Sequence, residues 1–101
     1  MPAVSRVGDD LSTGHICTTV TQIASSNTDG SVRANGIAVI VVGAPTVVHT
    51  NPPHPLCPPH TANLNAGSDS VFINGIKVGR DTDSADSGAM IEGSPNVSAG
   101  G

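Results

Sequence analysis

Histidine and cysteine, the residues best suited to binding a metal ion, are confined to two short stretches of this chain. Residues 49–60 read His-Thr-Asn-Pro-Pro-His-Pro-Leu-Cys-Pro-Pro-His, which contains three of the four histidines. The fourth histidine lies upstream, in Gly14-His15-Ile16-Cys17. Imidazole nitrogen and thiolate sulfur are preferred ligands of tetrahedral zinc, and iron accepts them too. The sequence therefore predicts a structural metal site that closes a small protein.

The predicted ion is zinc, with iron as the alternative. Cys57 and His60 form a Cys-x-x-His segment, a spacing that allows both side chains to bind the same ion. Two alternatives stay open at this point: Cys17 in place of Cys57, and His54 in place of His49. We predict four ligands, namely His15, His49, Cys57 and His60.

The composition predicts a small core that needs a further source of stability. With 101 residues, the chain is interpreted as a single domain spanning 1–101. Phe72 is its one aromatic residue, whereas aromatic side chains normally bury about 150–250 Å² each. A small domain with so little bulk usually needs a metal, disulfides or a partner surface.

Charge and hydropathy limit the class of partner. Only 12% of residues are charged, about half the usual quarter, so we expect part of the surface to be buried by other chains. The net charge of −4 argues against a nucleic-acid partner. No apolar run approaches the ~20 residues of a membrane helix, and no secretory signal opens the chain. The protein is therefore expected to be made in the cytoplasm and exported, if at all, by another route.

Short β-hairpins are the predicted secondary structure. Helix-type apolar spacing is absent, and the chain contains 12 glycines and 8 prolines, which disfavour helices. Asn35-Gly36 and Asn74-Gly75 each separate two β-type apolar runs. Asn-Gly in this setting is the strongest short hairpin signal, because both residues tolerate the positive φ of a type I′ turn. The predicted fold class is therefore all-β.

The hairpins belong to an internal repeat of about three units. Asn35–Val39 recurs as Asn74–Val78, and a Gly-Ser-x-x-Val motif occurs at 67–71 and again at 93–97. Units that cannot bury a face alone stack against their neighbours, so we expect pseudo-threefold packing about an axis. In this register His15 and His49 are equivalent, and the third unit carries Gly88 with no ligand.

The same motifs resemble those of the PAAR-repeat family. Residues 2–9 read Pro-Ala-Val-Ser-Arg-Val-Gly-Asp, close to the family's Pro-Ala-Ala-Arg followed by Val-Gly-Asp. The family's histidine, Gly-Ser-to-Asn-Gly run and Cys-x-x-His segment are matched at His15, at 67–75 and at 57–60. The middle unit departs from the pattern at Val41–Ala44, without the Arg and Asp, and the third departs at Arg80–Asp83, without the Gly. The resemblance covers essentially the whole chain.

The resemblance implies a structural protein and not an enzyme. PAAR proteins are small cones of short hairpins, with a metal ion near the vertex held by three histidines and one cysteine. One copy sits by its base on a trimeric β-helical spike of a contractile injection system, either a phage tail baseplate or a type VI secretion system. It sharpens the spike and helps it pierce the target cell envelope. No small-molecule substrate is implied, and the expected location is the virion tail tip or the type VI apparatus that exports the protein.

Other interpretations have less support. A redox or metal-carrying protein that uses Cys17 and Cys57 would be expected to contain a Cys-x-x-Cys motif, which the sequence lacks. A small metal-dependent enzyme would need an open coordination position and a nearby general base. Glu92 is the only glutamate, and it lies in the last repeat unit, away from the histidine-rich loop. Asp81, Asp83 and Asp86 miss the spacing of a calcium loop and are interpreted as turn-capping residues.

Overall fold

A computed structural model of the chain describes residues 2–15, 17–50 and 59–100. Within these ranges every regular element is a β-strand of two or three residues, and no helix is present. The predicted all-β fold of short antiparallel hairpins is thus confirmed. The strands are β1 (Asp10–Ser12), β2 (Val20–Gln22), β3 (Arg33–Ala34), β4 (Ile37–Ala38), β5 (His49–Thr50), β6 (Pro59–His60), β7 (Phe72–Ile73), β8 (Ile76–Lys77), β9 (Ser84–Ala85) and β10 (Gly88–Met90).

All strand pairs are antiparallel. One four-stranded sheet has the order β2-β1-β10-β9, and three two-stranded hairpins pair β3 with β4, β5 with β6 and β7 with β8. Across the described ranges, no helix has the length and apolar character that crossing a membrane demands.

Both Asn-Gly pairs form the predicted tight turns. Asn35 and Asn74 have φ of 57° and 53°, and the glycines that follow, Gly36 and Gly75, have φ of 78° and 80°. Two successive positive φ values define the type I′ turn, whose twist matches that of the flanking strands. These turns close the hairpins β3–β4 and β7–β8.

A third hairpin of the same kind is built from segments near the two ends of the chain. The bridge between Ala3 and Ser98 corresponds to one residue pair in each closed hairpin. Those pairs are Arg33 with Ala38, and Phe72 with Lys77. The three repeat units therefore share one architecture, although in one of them the hairpin strands are far apart in sequence.

A ring of three backbone hydrogen bonds joins the units. The N–H of Ser5 donates to the carbonyl of Gly79 (2.9 Å), that of Gly79 to Ile40 (2.8 Å), and that of Ile40 to Ser5 (3.1 Å). Each unit thus donates one bond and accepts one, which places a pseudo-threefold axis through the ring. Three flanking bridges repeat the symmetry: Val4 with Arg80, Arg6 with Val39, and Val41 with Val78.

Apolar side chains from all three units pack into two small cores. The first core, nearer the hairpins, consists of Val4, Ala34, Val39, Val41, Ile73, Val78 and Ala99. The second core, on the loop side of the ring, consists of Leu11, Ile23, Ile40, Ala44, Leu64, Ala85 and Met90. Neither core contains an aromatic residue, in keeping with the composition.

Each unit turns away from the ring through a residue in the left-handed region. Gly8, Gly43 and Thr82 occupy equivalent positions with φ of 88°, 94° and 77°. The third unit therefore keeps the turn although it lacks the glycine, and it places a β-branched residue where glycine is strongly favoured.

Buried ion pairs brace this turn in two of the three units. Arg6 Nη2 lies 3.1 Å from Asp9 Oδ1, and Arg80 Nη2 lies 3.0 Å from Asp83 Oδ1. In both cases the second carboxylate oxygen accepts the backbone N–H of the arginine. The middle unit has Val41 and Ala44 at these positions, and both are fully buried.

Candidate metal centre

Four side chains carried by loops of all three units converge on one point. Their ligand atoms all lie within 4.8 Å of one another. Asp86 Oδ2 is at the centre of the group, 2.8 Å from His49 Nε2, 3.0 Å from His15 Nε2 and 3.3 Å from His60 Nε2. We call this group, His15, His49, His60 and Asp86, the His3Asp cluster.

Paired strands and tight turns bring these residues together. His49 in β5 lies directly opposite His60 in β6, and their ring centroids are 4.4 Å apart. His15 follows β1 in the loop that leads to β2. Asp86 lies in the turn between β9 and β10 with φ of 55°, a conformation that Asp adopts more readily than most residues.

Glycines allow the loops that carry His15 and Asp86 to touch through their backbones. A Cβ atom at Gly14 would collide with the carbonyl of Ser87, and one at Gly88 would collide with the carbonyl of Ser12. The N–H of Ser87 also donates to the carbonyl of Thr13 at 3.0 Å. A side chain at either glycine would therefore push the two loops, and their ligands, apart.

Contacts at Nδ1, the ring nitrogen that faces away from the cluster, fix the orientation of the His49 ring. Its Nδ1 lies 3.0 Å from the carbonyl oxygen of Val47 and 3.4 Å from Thr46 Oγ1. An Nδ1–H that donates to a carbonyl leaves the Nε2 lone pair unprotonated, which is the form a metal ion needs. Nε2 points into the cluster, 2.9 Å from His60 Nε2.

The spacing of the four ligand atoms suits a tetrahedral ion. With metal–ligand bonds of about 2.0–2.1 Å, the ligand atoms of a tetrahedral site are about 3.3–3.4 Å apart. Four contacts between the cluster atoms are 2.8–3.3 Å long, and all the ligand atoms lie within 4.8 Å of one another. Side-chain shifts that separate the close pairs and narrow any wider ones would give the tetrahedral spacing. Three imidazole nitrogens and one carboxylate oxygen suit zinc and ferrous iron alike.

Burial and hydrogen bonding shift the pKa of the Asp86 carboxyl in opposite directions. Burial, the largest single influence, raises the pKa of its carboxyl, but the hydrogen bonds with His49, His15 and His60 and the charge of His15 together hold that pKa below its usual value. The group is therefore ionised at neutral pH, as a metal ligand must be. His60 is the most exposed member of the cluster, with 27% of its side chain accessible.

Three of the four ligands predicted from sequence lie in this cluster: His15, His49 and His60. The fourth, Cys57, lies outside the described residues, as does the alternative ligand His54. The other alternative, Cys17, is disulfide-bonded, so it offers no thiolate to an ion.

Asp86 is the residue that the sequence interpretation missed. The repeat register placed Gly88 at the equivalent position and predicted no ligand from the third unit, but the carboxylate of Asp86, two residues earlier, lies in the cluster. The sequence analysis interpreted Asp86 as a turn residue, which agrees with its place between β9 and β10 but says nothing about its side chain. The available signal was that Asp86 lies in the turn of the third unit, where the other two units carry histidine-bearing loops.

Comparison with known proteins gives no further guidance on identity: no protein-family model matches the chain, and a search of curated proteins finds no match. The function is therefore argued from the repeat architecture and the His3Asp cluster.

Proposed function

We propose that this chain is a structural spike-tip protein. It caps and sharpens a trimeric β-helical spike of a contractile phage tail or a type VI secretion system, and it helps the spike pierce the target cell envelope. The observation that carries this proposal is the ring of Ser5, Ile40 and Gly79, which gives one polypeptide a pseudo-threefold axis. A monomer with three similar units can meet a symmetric trimer through three quasi-equivalent contacts, so one copy per trimer is the expected stoichiometry.

The His3Asp cluster suits a tip that bears force, because metal–ligand bonds can hold loops together where too few side chains are present to form a core. The loops that carry the cluster come from three units, and a pointed end has too few side chains for a core of its own. A structural zinc ion contributes roughly 10–16 kcal/mol of apparent binding free energy. This is comparable to the whole stability of a typical domain, about 5–15 kcal/mol. Metal bonds therefore supply rigidity to a part of the molecule that must take force.

The resident ion is proposed to be zinc in a structural role. Three imidazoles and a carboxylate give a complete tetrahedral set, which is typical of structural sites, whereas catalytic sites keep a position open. Iron is the alternative, since it accepts the same donors.

Co-purification with trimeric spike proteins tests the proposal. The chain is mixed with spikes from contractile tails and from type VI systems, and the complexes are analysed by light scattering and elemental analysis. One chain and one bound ion per spike trimer are expected. Failure to bind any trimer, or three chains per trimer, would contradict the capping role.

A further inference from the structure

Three valines at equivalent positions are exposed to almost the same extent. Their accessible fractions are 44%, 39% and 40% for Val32, Val71 and Val97. Each carbonyl accepts a hydrogen bond from another valine, in a neighbouring strand of the same unit, at 2.9–3.0 Å. The donors are Val39 for Val32, Val78 for Val71 and Val4 for Val97. The pseudo-threefold symmetry thus extends to the surface as a triangle of apolar side chains.

The triangle surrounds a cavity of about 400 Å³. Its lining includes all three members of two symmetry-related sets, so the cavity lies on the pseudo-threefold axis, at the hairpin end of the molecule. The two sets are Val4, Val39 and Val78, and Val32, Val71 and Val97. We call this cavity the axial socket.

The axial socket favours an apolar occupant. Among the described residues of its lining, Arg33 alone is charged. The Arg33 guanidinium already donates to the carbonyls of Gly30 and Gly36, both at 3.1 Å. Phe72, the single aromatic residue, also lines the cavity and is 49% exposed. The volume lies within the range of about 300–1,000 Å³ seen for ligand pockets, which is enough for several aliphatic side chains.

Taking the 40 Å dimension of the molecule as the direction of the pseudo-threefold axis, a flat contact at this end would bury little area. The molecule measures 24 × 22 Å across its two shorter dimensions. An ellipse of that size has a projected area of about 400 Å², whereas a stable interface buries about 800 Å² on each partner. A partner that also enters the socket adds buried apolar surface to this limited contact.

We propose that the axial socket receives an apolar plug on the threefold axis of the partner trimer. The plug consists of aliphatic side chains, one from each chain of the trimer, that enter the socket together. This inference rests on the proposed spike-tip function and adds the face, the residues and the mode of docking. The symmetry of the three valines fits a threefold partner and not a second copy of this chain, which would meet it across a twofold axis.

Two substitutions at one position separate plug insertion from flat docking. Val71→Asp places a charge against the plug, and Val71→Phe keeps the position apolar but fills the socket. Both variants should weaken binding to the trimeric spike at least about 30-fold, the loss typical of an interface hot spot. Flat apolar docking instead predicts that Val71→Phe binds as well as the wild type. Affinity is measured by titration calorimetry with the spike that binds the wild-type chain.

Val48→Asp is the matched control. Val48 is 67% exposed and directly precedes His49, so it is close to the His3Asp cluster and is not part of the socket lining. It should bind the spike with wild-type affinity. Circular dichroism and zinc content are measured to check that all three variants are folded.

Other results of these binding experiments would contradict the plug, the socket or the capping role. Wild-type affinity in both Val71 variants, or loss of binding in Val48→Asp alone, would overturn the socket while leaving the capping role intact. Wild-type dimerisation that Val71→Asp abolishes would identify a second copy as the occupant and overturn the plug. If the wild-type chain binds no trimer, the proposed function itself fails, and the plug fails with it.

Discussion

Asp86 shows how one residue can belong to a turn and to a binding site at the same time. Its backbone takes the left-handed conformation of a tight turn, and its Oδ2 lies 2.8–3.3 Å from the Nε2 atoms of three imidazoles. Turn chemistry is visible in a sequence, since Asp is common in such positions. The direction of the side chain is not, because it depends on where the other two units place their loops.

Replacing Asp86 should therefore weaken metal binding more than folding of the hairpins. Asp86→Asn keeps the size of the side chain and removes the charge, so we expect zinc affinity to fall by more than the about 10–100-fold that loss of a supporting hydrogen bond costs. Affinity is measured by competition with a chromophoric chelator. Asp81→Asn, a nearby aspartate outside the cluster, is the control, and equal effects in both variants would contradict the ligand role.

Thr82 is the residue whose backbone conformation conflicts most with its type. Its equivalents are glycines, and a left-handed conformation costs an L-residue roughly 1–2 kcal/mol. Thr82→Gly should raise the free energy of unfolding by about 0.5–1 kcal/mol after the larger chain entropy of glycine is subtracted. Urea denaturation is the measurement. Thr82→Ala stays strained and should gain less, so a larger gain for alanine would argue against backbone strain.

At the level of elements, the equivalent turns at Gly8, Gly43 and Thr82 are stabilised in two different ways. Two units use a buried Arg–Asp pair, and the middle unit uses Val41 and Ala44. Buried ion pairs are often replaceable by apolar residues as a pair but not singly, because one partner alone is left as an uncompensated charge. The middle unit is a natural example of the paired replacement.

The single and double variants of the first unit should therefore not be additive. Arg6→Val or Asp9→Ala alone should cost about 3–5 kcal/mol, since each leaves a buried charge. The double variant should be more stable than either, although it loses the acceptor for the Arg6 N–H, which costs about 1–3 kcal/mol. A double-mutant cycle by urea denaturation checks this, and simple additivity of the two losses would contradict it.

At the scale of the whole molecule, the terminal segments complete the third hairpin without a turn between them. Ala3 pairs with Ser98 as Phe72 pairs with Lys77, so a hairpin pair of this kind forms here between segments that no turn connects. The ring of Ser5, Ile40 and Gly79, in contrast, needs an intact strand in every unit.

A circular permutant should consequently fold. Joining Ala99 to Pro2 through Asn-Gly and opening the chain between Asn74 and Gly75 moves the break from one hairpin to an equivalent one. We expect a melting temperature close to that of the wild type and one bound zinc ion. Opening the chain between Ile40 and Val41 interrupts the ring instead, and this control should fail to fold. Similar behaviour of the two permutants would contradict the repeat symmetry.

The metal ion is expected to stabilise the molecule as a whole. Removal by a strong chelator, or His60→Ala, should lower the melting temperature sharply, because metal-binding free energy is part of the folding free energy. Calorimetry with elemental analysis of the same sample is the measurement. Val48→Ala, next to His49 but directed outward, should melt like the wild type. An unchanged melting curve after confirmed metal loss would refute the structural role.

The sequence alone determined the local structure and most of the donor chemistry. Asn-Gly between apolar runs specified the turns at 35–36 and 74–75, because few residues tolerate two positive φ values in succession. His49 and His60 were predicted to bind the same ion, although the pairing of β5 with β6 that places them opposite each other was not predicted. The repeat motifs gave the three units.

Only the tertiary structure decided which residues from different units meet at the cluster and at the socket. In the third unit the sequence register placed Gly88, which offers no ligand, at the position equivalent to His15 and His49, whereas Asp86, two residues earlier, lies in the cluster. The side chain that reaches an ion is set by the packing of loops from three units, not by spacing within one. The axial socket likewise exists only when residues 32, 71 and 97 stand around one axis. Such contacts join residues far apart in the chain, and local conformational preferences carry no information about them.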